Sequence, residues 1–149
     1  MSWTVNLLFS YARIPTDTDM TASQTDIDNA INASQAVVYA AYIYAGDPVV
    51  ELEIDAKTIG ADVVLSTYQP TERYKLHLLP MAYNAAEYHQ LMTYLRRPYM
   101  YVRCNNGDYP NWRHSYDVWY ACELVGVEVD HKHETGRKHV TLTIALTLR

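Results

Sequence analysis

Near its C-terminal end the sequence alternates between apolar and polar residues, and this pattern constrains the fold more than any other feature. The apolar members of the series are Val140, Leu142, Ile144, Leu146 and Leu148. Successive side chains of a β-strand point to opposite faces, so a period of two predicts a strand with one buried face. Three valines before the turn supply a matching apolar face: Val125, Val127 and Val129. The sequence therefore predicts a long hairpin of residues 116–133 and 138–149, with a bulge or bend at Gly126.

Shorter runs of β-prone residues predict further strands. Residues 3–9 alternate in the same way, and residues 63–67, 73–79 and 99–104 are rich in β-branched, aromatic or other apolar side chains. In the strand at 73–79 one face would carry Tyr74, Leu76 and Leu78.

The segment that follows the first strand fits two structures. Four of its apolar residues have helical spacing: Ile27, Ile31, Val38 and Tyr42. Thr25 and Asp28 resemble a helix capping box. The β-branched and aromatic residues around a turn signal instead favour a hairpin of residues 36–44 and 49–55. We expect the hairpin, preceded by a polar loop or arm at about residues 15–34.

Residues 84–97 carry the signals of a helix at both ends. Asn84 and Glu87 have the spacing of a capping box, and Arg96 and Arg97 suit the negative end of a helix. Four apolar residues form a stripe along one side: Tyr88, Leu91, Met92 and Leu95. We expect the two leucines of this stripe to be buried against the sheet.

The bulk numbers are those of one globular domain. The chain has 149 residues, of which 49% are apolar and 19% charged, and no linker or internal repeat divides it. The sequence predicts a single domain over residues 1–149. Its fold class is mainly β with one α-helix, arranged as a β-sandwich or split barrel flanked by that helix.

The charge distribution argues against a protein that grips nucleic acid. The net charge is −5, whereas phosphate neutralisation requires basic surface. Residues 1–56 hold one basic and eight acidic residues, and residues 57–149 hold eleven basic and nine acidic residues. Such asymmetry is typical either of complementary faces on neighbouring copies or of an unevenly charged solvated surface.

The sequence carries no nucleophile, phosphate-loop or dinucleotide motif, and we expect no catalytic, cofactor-binding or metal-binding residues. His131, His133 and His139 surround the predicted turn, where solvated histidines are common and a zinc site would need further ligands. Cys104 and Cys122 lack metal-site spacing and are expected to be reduced core residues. The sequence has no secretory signal and no apolar stretch of the roughly 20 residues that cross a bilayer. We therefore expect synthesis in a cytoplasm and no membrane partner.

Tyrosine is unusually abundant, with fourteen copies against one phenylalanine. A tyrosine ring with a polar hydroxyl suits surfaces that are half wet and half buried, as at protein interfaces. The candidate interface residues surround the loop at 105–114: Tyr99, Tyr101, Tyr109, Trp112 and Trp119. Two alternatives are an amphipathic sheet surface and a platform on which sugars or bases stack.

Two stretches carry a recognisable order of elements: EYHQLMTYLRRPYMYVRC at residues 87–104 and ELVGVEVDHKHETGRKHVTLTIALTLR at residues 123–149. With the preceding strand they give a capped helix, a strand, an aromatic loop and a long hairpin. This order resembles the tail-tube fold of long-tailed bacteriophages and contractile injection systems, most closely the minor tail and distal tail proteins. The resemblance covers about half of the chain, and residues 1–71 match less well.

The resemblance implies a structural virion protein of a bacteriophage tail, a tube, distal tail or connector component without catalytic residues. Its copies would form a ring, a hexamer or a trimer, next to other tail proteins and around a channel through which DNA passes as cargo. In that setting Glu51, Glu53 and Asp55, which alternate with apolar residues, would form an acidic row on the channel wall. The alternative for the row is an edge strand kept soluble by charge.

Two other classes of function remain open at this point. One is a stand-alone β-sandwich binding module whose aromatic surface takes a glycan or peptide through Tyr109, Trp112 and Trp119. The other is a small β-barrel enzyme.

Overall fold

The computed structural model describes residues 3–43, 50–53, 57–59, 62–64, 71–79, 81–82, 86–105, 109, 112–132 and 137–147. In chain order the elements are β1 (Trp3–Ser10), β2 (Thr21–Ala22), α1 (Gln24–Asn32), β3 (Ala36–Ile43), β4 (Val50–Glu53), β5 (Lys57–Ile59), β6 (Asp62–Val64), β7 (Thr71–His77), β8 (Met81–Ala82), α2 (Ala86–Tyr94), β9 (Tyr99–Cys104), β10 (Trp119–Lys132) and β11 (Arg137–Thr147). The fold is mainly β, as the alternation predicted, and its described part holds two helices where one was expected.

Most strands belong to one antiparallel sheet. Its path runs β3–β1–β9–β10–β11–β7–β4, with β2 beside β10 and β8 beside β11, while β5 and β6 form a separate pair. The sheet is not closed into a barrel. The end strand β3 nevertheless contacts the segment just after β7, because Ile43 bridges to Leu78 and the Leu79 N–H donates to the Tyr42 carbonyl over 2.9 Å.

Strand β1 has apolar core on both of its faces. Leu7 and Phe9 belong to the larger cluster, which also contains residues of β7, β11 and α2. Leu8 points the other way and packs with Ile27 of α1 and with Trp119 in a smaller cluster. This arrangement explains the apolar run in the second half of β1, because a strand covered on both faces has no polar side.

Helix α2 packs on the larger cluster through the predicted stripe. Leu91 is fully buried, while Tyr88, Met92 and Leu95 are partly buried against the same cluster. The prediction is therefore confirmed for Leu91 and only partly for Leu95. Beyond the end of the helix, Arg97 donates from one guanidinium nitrogen to the carbonyls of Phe9 (3.2 Å) and Gln35 (3.3 Å).

The predicted C-terminal hairpin is confirmed as β10 and β11, whose inward residues Val140, Leu142 and Ile144 are buried. Its register shifts between Leu124 and Gly126, so the expected bulge is present. The matching valine face was partly wrong. Val125 occupies the bulge and is exposed, and Val127 is exposed although it pairs with Leu142.

Residues 15–55 contain the main error of the sequence reading. The expected polar arm at 15–34 includes β2 and α1, and Ser23 caps α1 in place of Thr25 by accepting the Asp26 N–H over 3.2 Å. The hairpin of 36–44 with 49–55 does not form. Its two strands exist, but β3 pairs with β1 and β4 pairs with β7.

Candidate assembly surface

The predicted interface aromatics lie mostly inside their own chain. Tyr101, Tyr109, Trp112 and Trp119 are at most 6% exposed, and only Tyr99 is open to solvent. Rings already buried against their own chain have little surface left for a neighbour or for a sugar. The oligomer interface stays a prediction, and within one chain only Tyr99 of these residues leaves substantial surface free for a neighbour.

Tyr109 and Trp112, two described residues of the aromatic loop, pack into the larger cluster. The Trp112 ring lies 5.0 Å from the Tyr74 ring, and its indole N–H donates to the Ser115 carbonyl over 3.1 Å. The Tyr116 hydroxyl donates to the Tyr109 carbonyl over 2.9 Å. Because the polar atoms of Trp112 and Tyr116 find partners nearby, these two side chains can be buried or partly buried at low cost.

Tyr101 and Trp119 hold the smaller cluster together from the other face of the sheet. The Tyr101 hydroxyl accepts the Ile14 N–H over 2.9 Å and donates to the Ile14 carbonyl over 3.1 Å. The Trp119 indole N–H donates to Oε1 of Gln24, next to the start of α1. Burial raises the pKa of Tyr101. Both residues thus fasten the segment 11–32 to the sheet.

The acidic row is placed only in part. Glu51 and Glu53 lie in β4, opposite Arg73 and Thr71 of β7, and Asp55 lies outside the described residues. In the described sheet β4 is the last strand on its side. This position is compatible with a charged edge strand and equally with a strand on a channel wall, so the acidic row stays a prediction.

A surface that sequence reasoning missed is the outer side of β3. Val38 and Tyr42 are 45% and 49% exposed, and Ala40 between them is also exposed. The strand sequence AVVYAAYI contains no charge, proline or glycine. Natural sheet edges usually carry such residues, which discourage pairing with another chain. The signal was present in the sequence, but assigning a hairpin partner to this strand concealed it.

The backbone of β3 also offers hydrogen bonds outward. In an antiparallel pair, residues alternate between those bonded to the neighbouring strand and those whose groups point away. The Tyr11 N–H donates to the Gln35 carbonyl, one residue beyond the Ser10–Ala36 pair, so Tyr11 and Gln35 form a hydrogen-bonded pair. Because hydrogen-bonded pairs recur at every second residue, the odd-numbered residues of β3 bond to β1. The groups of Val38 and Ala40 therefore point away from β1, and no described residue bonds to them. We call the segment from Ala36 to Ala40 the β3 edge.

Among the described strands, another open edge lies along the far half of β10. Strand β9 pairs with β10 only as far as Cys122. The Leu78 N–H donates to the Val140 carbonyl, so the even-numbered residues of β11 bond to the β7 side. The odd-numbered residues of β11 therefore bond to β10, and after the bulge their partners on β10 are even-numbered. The backbone groups of Val127 and Val129 consequently point outward. We call the segment from Val125 to Val129 the β10 edge.

Two adjoining cavities, of about 280 and 420 Å³, lie where α2 ends and β9 and β10 begin. They share Pro98, Met100, Cys122 and Glu123. Burial raises the pKa of the Cys122 thiol, which keeps it protonated and a poor nucleophile. Cys104 and Cys122 are both buried and unbridged, as expected from the sequence.

Among the residues with described positions, no group of three or more histidine, cysteine or acidic side chains is placed to hold a metal ion. The helices of the described chain are too short and too polar to cross a membrane.

No protein-family model matches the chain, and no curated protein matches it in sequence. The assignment of function therefore depends on the features of the molecule itself.

Proposed function

We propose that this chain is a structural protein of a bacteriophage tail whose copies assemble into a ring around the DNA channel. The observation that carries the proposal is the β3 edge, an uncharged sheet edge with outward backbone groups and exposed Val38 and Ala40. Such an edge in a free monomer promotes association, and in an assembling protein it can pair with a strand of a neighbouring copy.

The order of elements supports the tail assignment. Helix α2, strand β9, the aromatic loop and the β10–β11 hairpin follow one another as in the tail-tube fold that the sequence resembles. The ring would contain six or three copies, contact adjacent tail proteins and belong to the virion. The candidate module for glycan binding is less well supported, because Tyr109, Trp112 and Trp119 are buried.

The proposal also places the acidic row of Glu51, Glu53 and Asp55 on the wall of the DNA channel. DNA carries one negative charge per roughly 1.7 Å of axis, so a negative wall would keep the passing strand from adhering. An electron cryomicroscopy map of the assembled ring tests this placement. Glu51 and Glu53 facing the channel supports it, and both residues facing the outer surface contradicts it.

The first prediction tests assembly at the β3 edge. Native mass spectrometry of the purified chain should show one large species with a fixed copy number. Val38→Lys should give a monomer, because a lysine on the edge would be desolvated on pairing. The unfolding free energy of that monomer should lie within about 0.5 kcal/mol of the wild-type value measured at dilutions where the ring has dissociated, since the side chain is exposed.

Thr93→Lys on the exposed side of α2 is the matched control, because it adds the same charge away from the edge. It should leave the copy number unchanged. A wild-type chain that stays monomeric at every concentration would contradict the ring and favour a stand-alone binding module. Rings that persist in the Val38→Lys variant would show that another surface assembles them.

A further inference from the structure

Besides the outer side of β4, the described part of the sheet has two open edges, and these two have complementary properties. On the β3 edge the backbone groups of Val38 and Ala40 point outward, and on the β10 edge those of Val127 and Val129 do so. Both edges have exposed apolar side chains, with Val38 at 45% on one and Val127 at 38% on the other. We propose that the β3 edge of one copy pairs with the β10 edge of the next. The inference rests on the proposed function and names the contact that would build the ring.

The alternation of bonding residues fixes the registers that are allowed. Pairing can form only where outward-pointing residues of one edge meet outward-pointing residues of the other. An antiparallel register that satisfies this rule places Val38 opposite Val129 and Ala40 opposite Val127. Side chains of opposed residues share a face, so the exposed apolar groups of the two edges cover each other. The contact thus satisfies backbone groups and removes apolar surface from water at once.

Charge favours the antiparallel direction. The start of β3 lies beside α1, which carries Asp26 and an exposed Asp28. Antiparallel pairing brings the far end of β10, next to the exposed Arg137, towards this acidic helix. Parallel pairing would move that end away. Arg137 therefore lies towards Asp26 and Asp28 across an antiparallel contact, and this attraction favours the antiparallel direction.

Pairing between unlike edges also has the right symmetry. Two β3 edges joined to each other would form a closed two-fold dimer and leave no β3 edge for a third copy. Pairing of β3 with β10 uses a different surface on each copy, so the contact repeats head to tail and closes when the rotation permits. A ring around a channel requires this second kind of contact.

Cysteine cross-linking tests the pairing directly. Ala40→Cys and Val127→Cys variants are prepared separately, mixed, reassembled and mildly oxidised. Opposed residues of an antiparallel pair have Cα atoms roughly 5.5 Å apart, within the range that a disulfide spans. The mixture should give a disulfide-linked heterodimer on a non-reducing gel, and neither variant alone should cross-link. The chain with both substitutions should give a ladder of products up to the ring size.

Tyr99→Cys is the matched control for Val127→Cys, because Tyr99 has the same 38% exposure on another strand. Mixed with Ala40→Cys it should not cross-link. Rings without the Ala40–Val127 product, or a homodimer of Ala40→Cys alone, would overturn the inference and leave the ring standing. Native mass spectrometry of the same samples separates this outcome from the absence of rings, which would overturn the proposed function.

Discussion

The aromatic loop and strand β3 differ in burial, and in each case the burial is the opposite of what the sequence suggests. The loop is rich in large rings and lies in a segment of turn-forming residues, yet Tyr109 and Trp112 are buried. Strand β3 is apolar throughout and reads as core, yet Val38 and Tyr42 are about half exposed. The difference arises from neighbours, because the loop folds onto β7 whereas β3 has a described strand on one side only.

This contrast shows which property of a segment marks a candidate interface. A large ring contributes to binding only when its surface remains free in the monomer. An open strand edge contributes through its backbone when its side chains, like those of β3, carry no charge that would block pairing. The assembly surface is therefore better sought at β3 than at the loop, and three experiments can break or sharpen that distinction.

The largest effect is expected at Trp112. Trp112→Ala removes a buried ring in contact with Tyr74, and such truncations cost about 3–5 kcal/mol. Chemical denaturation of a monomeric background, such as Val38→Lys, should show this loss. Tyr99→Ala serves as the contrast, because the side chain is partly open to solvent and should cost about 1 kcal/mol or less. Equal losses at the two positions would mean that the loop is not part of the core.

How far the sequence predicts this fold depends on whether a segment's structure is set locally. The alternation in β11 and the stripe of α2 reflect one buried face each, so the hairpin and the burial of Leu91 could be predicted. Pairing partners are set by the whole sheet. Strands β3 and β4 follow each other in the chain, but β3 pairs with β1 and β4 pairs with β7. Nothing in the local sequence records that competition.

The candidate surface was missed for the same reason. Whether Val38 faces water depends on which strands surround β3, and its apolar neighbours predict burial equally well. The helix α1 was misread although Ser23 and Asp26 have the same capping spacing as Thr25 and Asp28, because the β-branched and aromatic residues that follow favoured a hairpin. Its burial of Ile27 comes from contact with the sheet, which is again not local information.

A second experiment uses pH to compare the two faces of β3. Tyr39 lies on the inner face and donates its hydroxyl to Glu87 over 2.9 Å. Burial, reinforced by this hydrogen bond and the Glu87 charge, raises the pKa of Tyr39 above the ordinary 10.0. A raised pKa means that the unfolded chain releases the proton first. The stabilisation is complete below pH 10 and is lost as the pH rises through the pKa of the folded state.

Unfolding midpoints of the Val38→Lys monomer should therefore fall as the pH rises past about 10. Adding Tyr39→Phe should lower stability by about 1 kcal/mol at neutral pH, since one hydrogen bond is lost. The same change should make the alkaline decline shallower. Tyr42→Phe on the outer face is the control and should leave the slope as it was. Identical slopes in all three proteins would show that the inner face of β3 is solvated.

The smallest expected effect concerns the boundary of the β3 edge. Helix α1 contacts β3, and Ala36 is buried while Val38 two residues later is exposed. Ser23 caps this helix through its hydroxyl, so Ser23→Ala should cost about 1 kcal/mol. Thr25 lies inside the first turn and is exposed, so Thr25→Ala should be neutral or slightly stabilising, because alanine favours the helix. Hydrogen exchange in the Ser23 variant should rise over α1 and at Gln35, whose N–H donates to the Ala30 carbonyl, and stay unchanged in β11. A larger loss from Thr25→Ala than from Ser23→Ala would restore Thr25 as the cap and move the start of the helix.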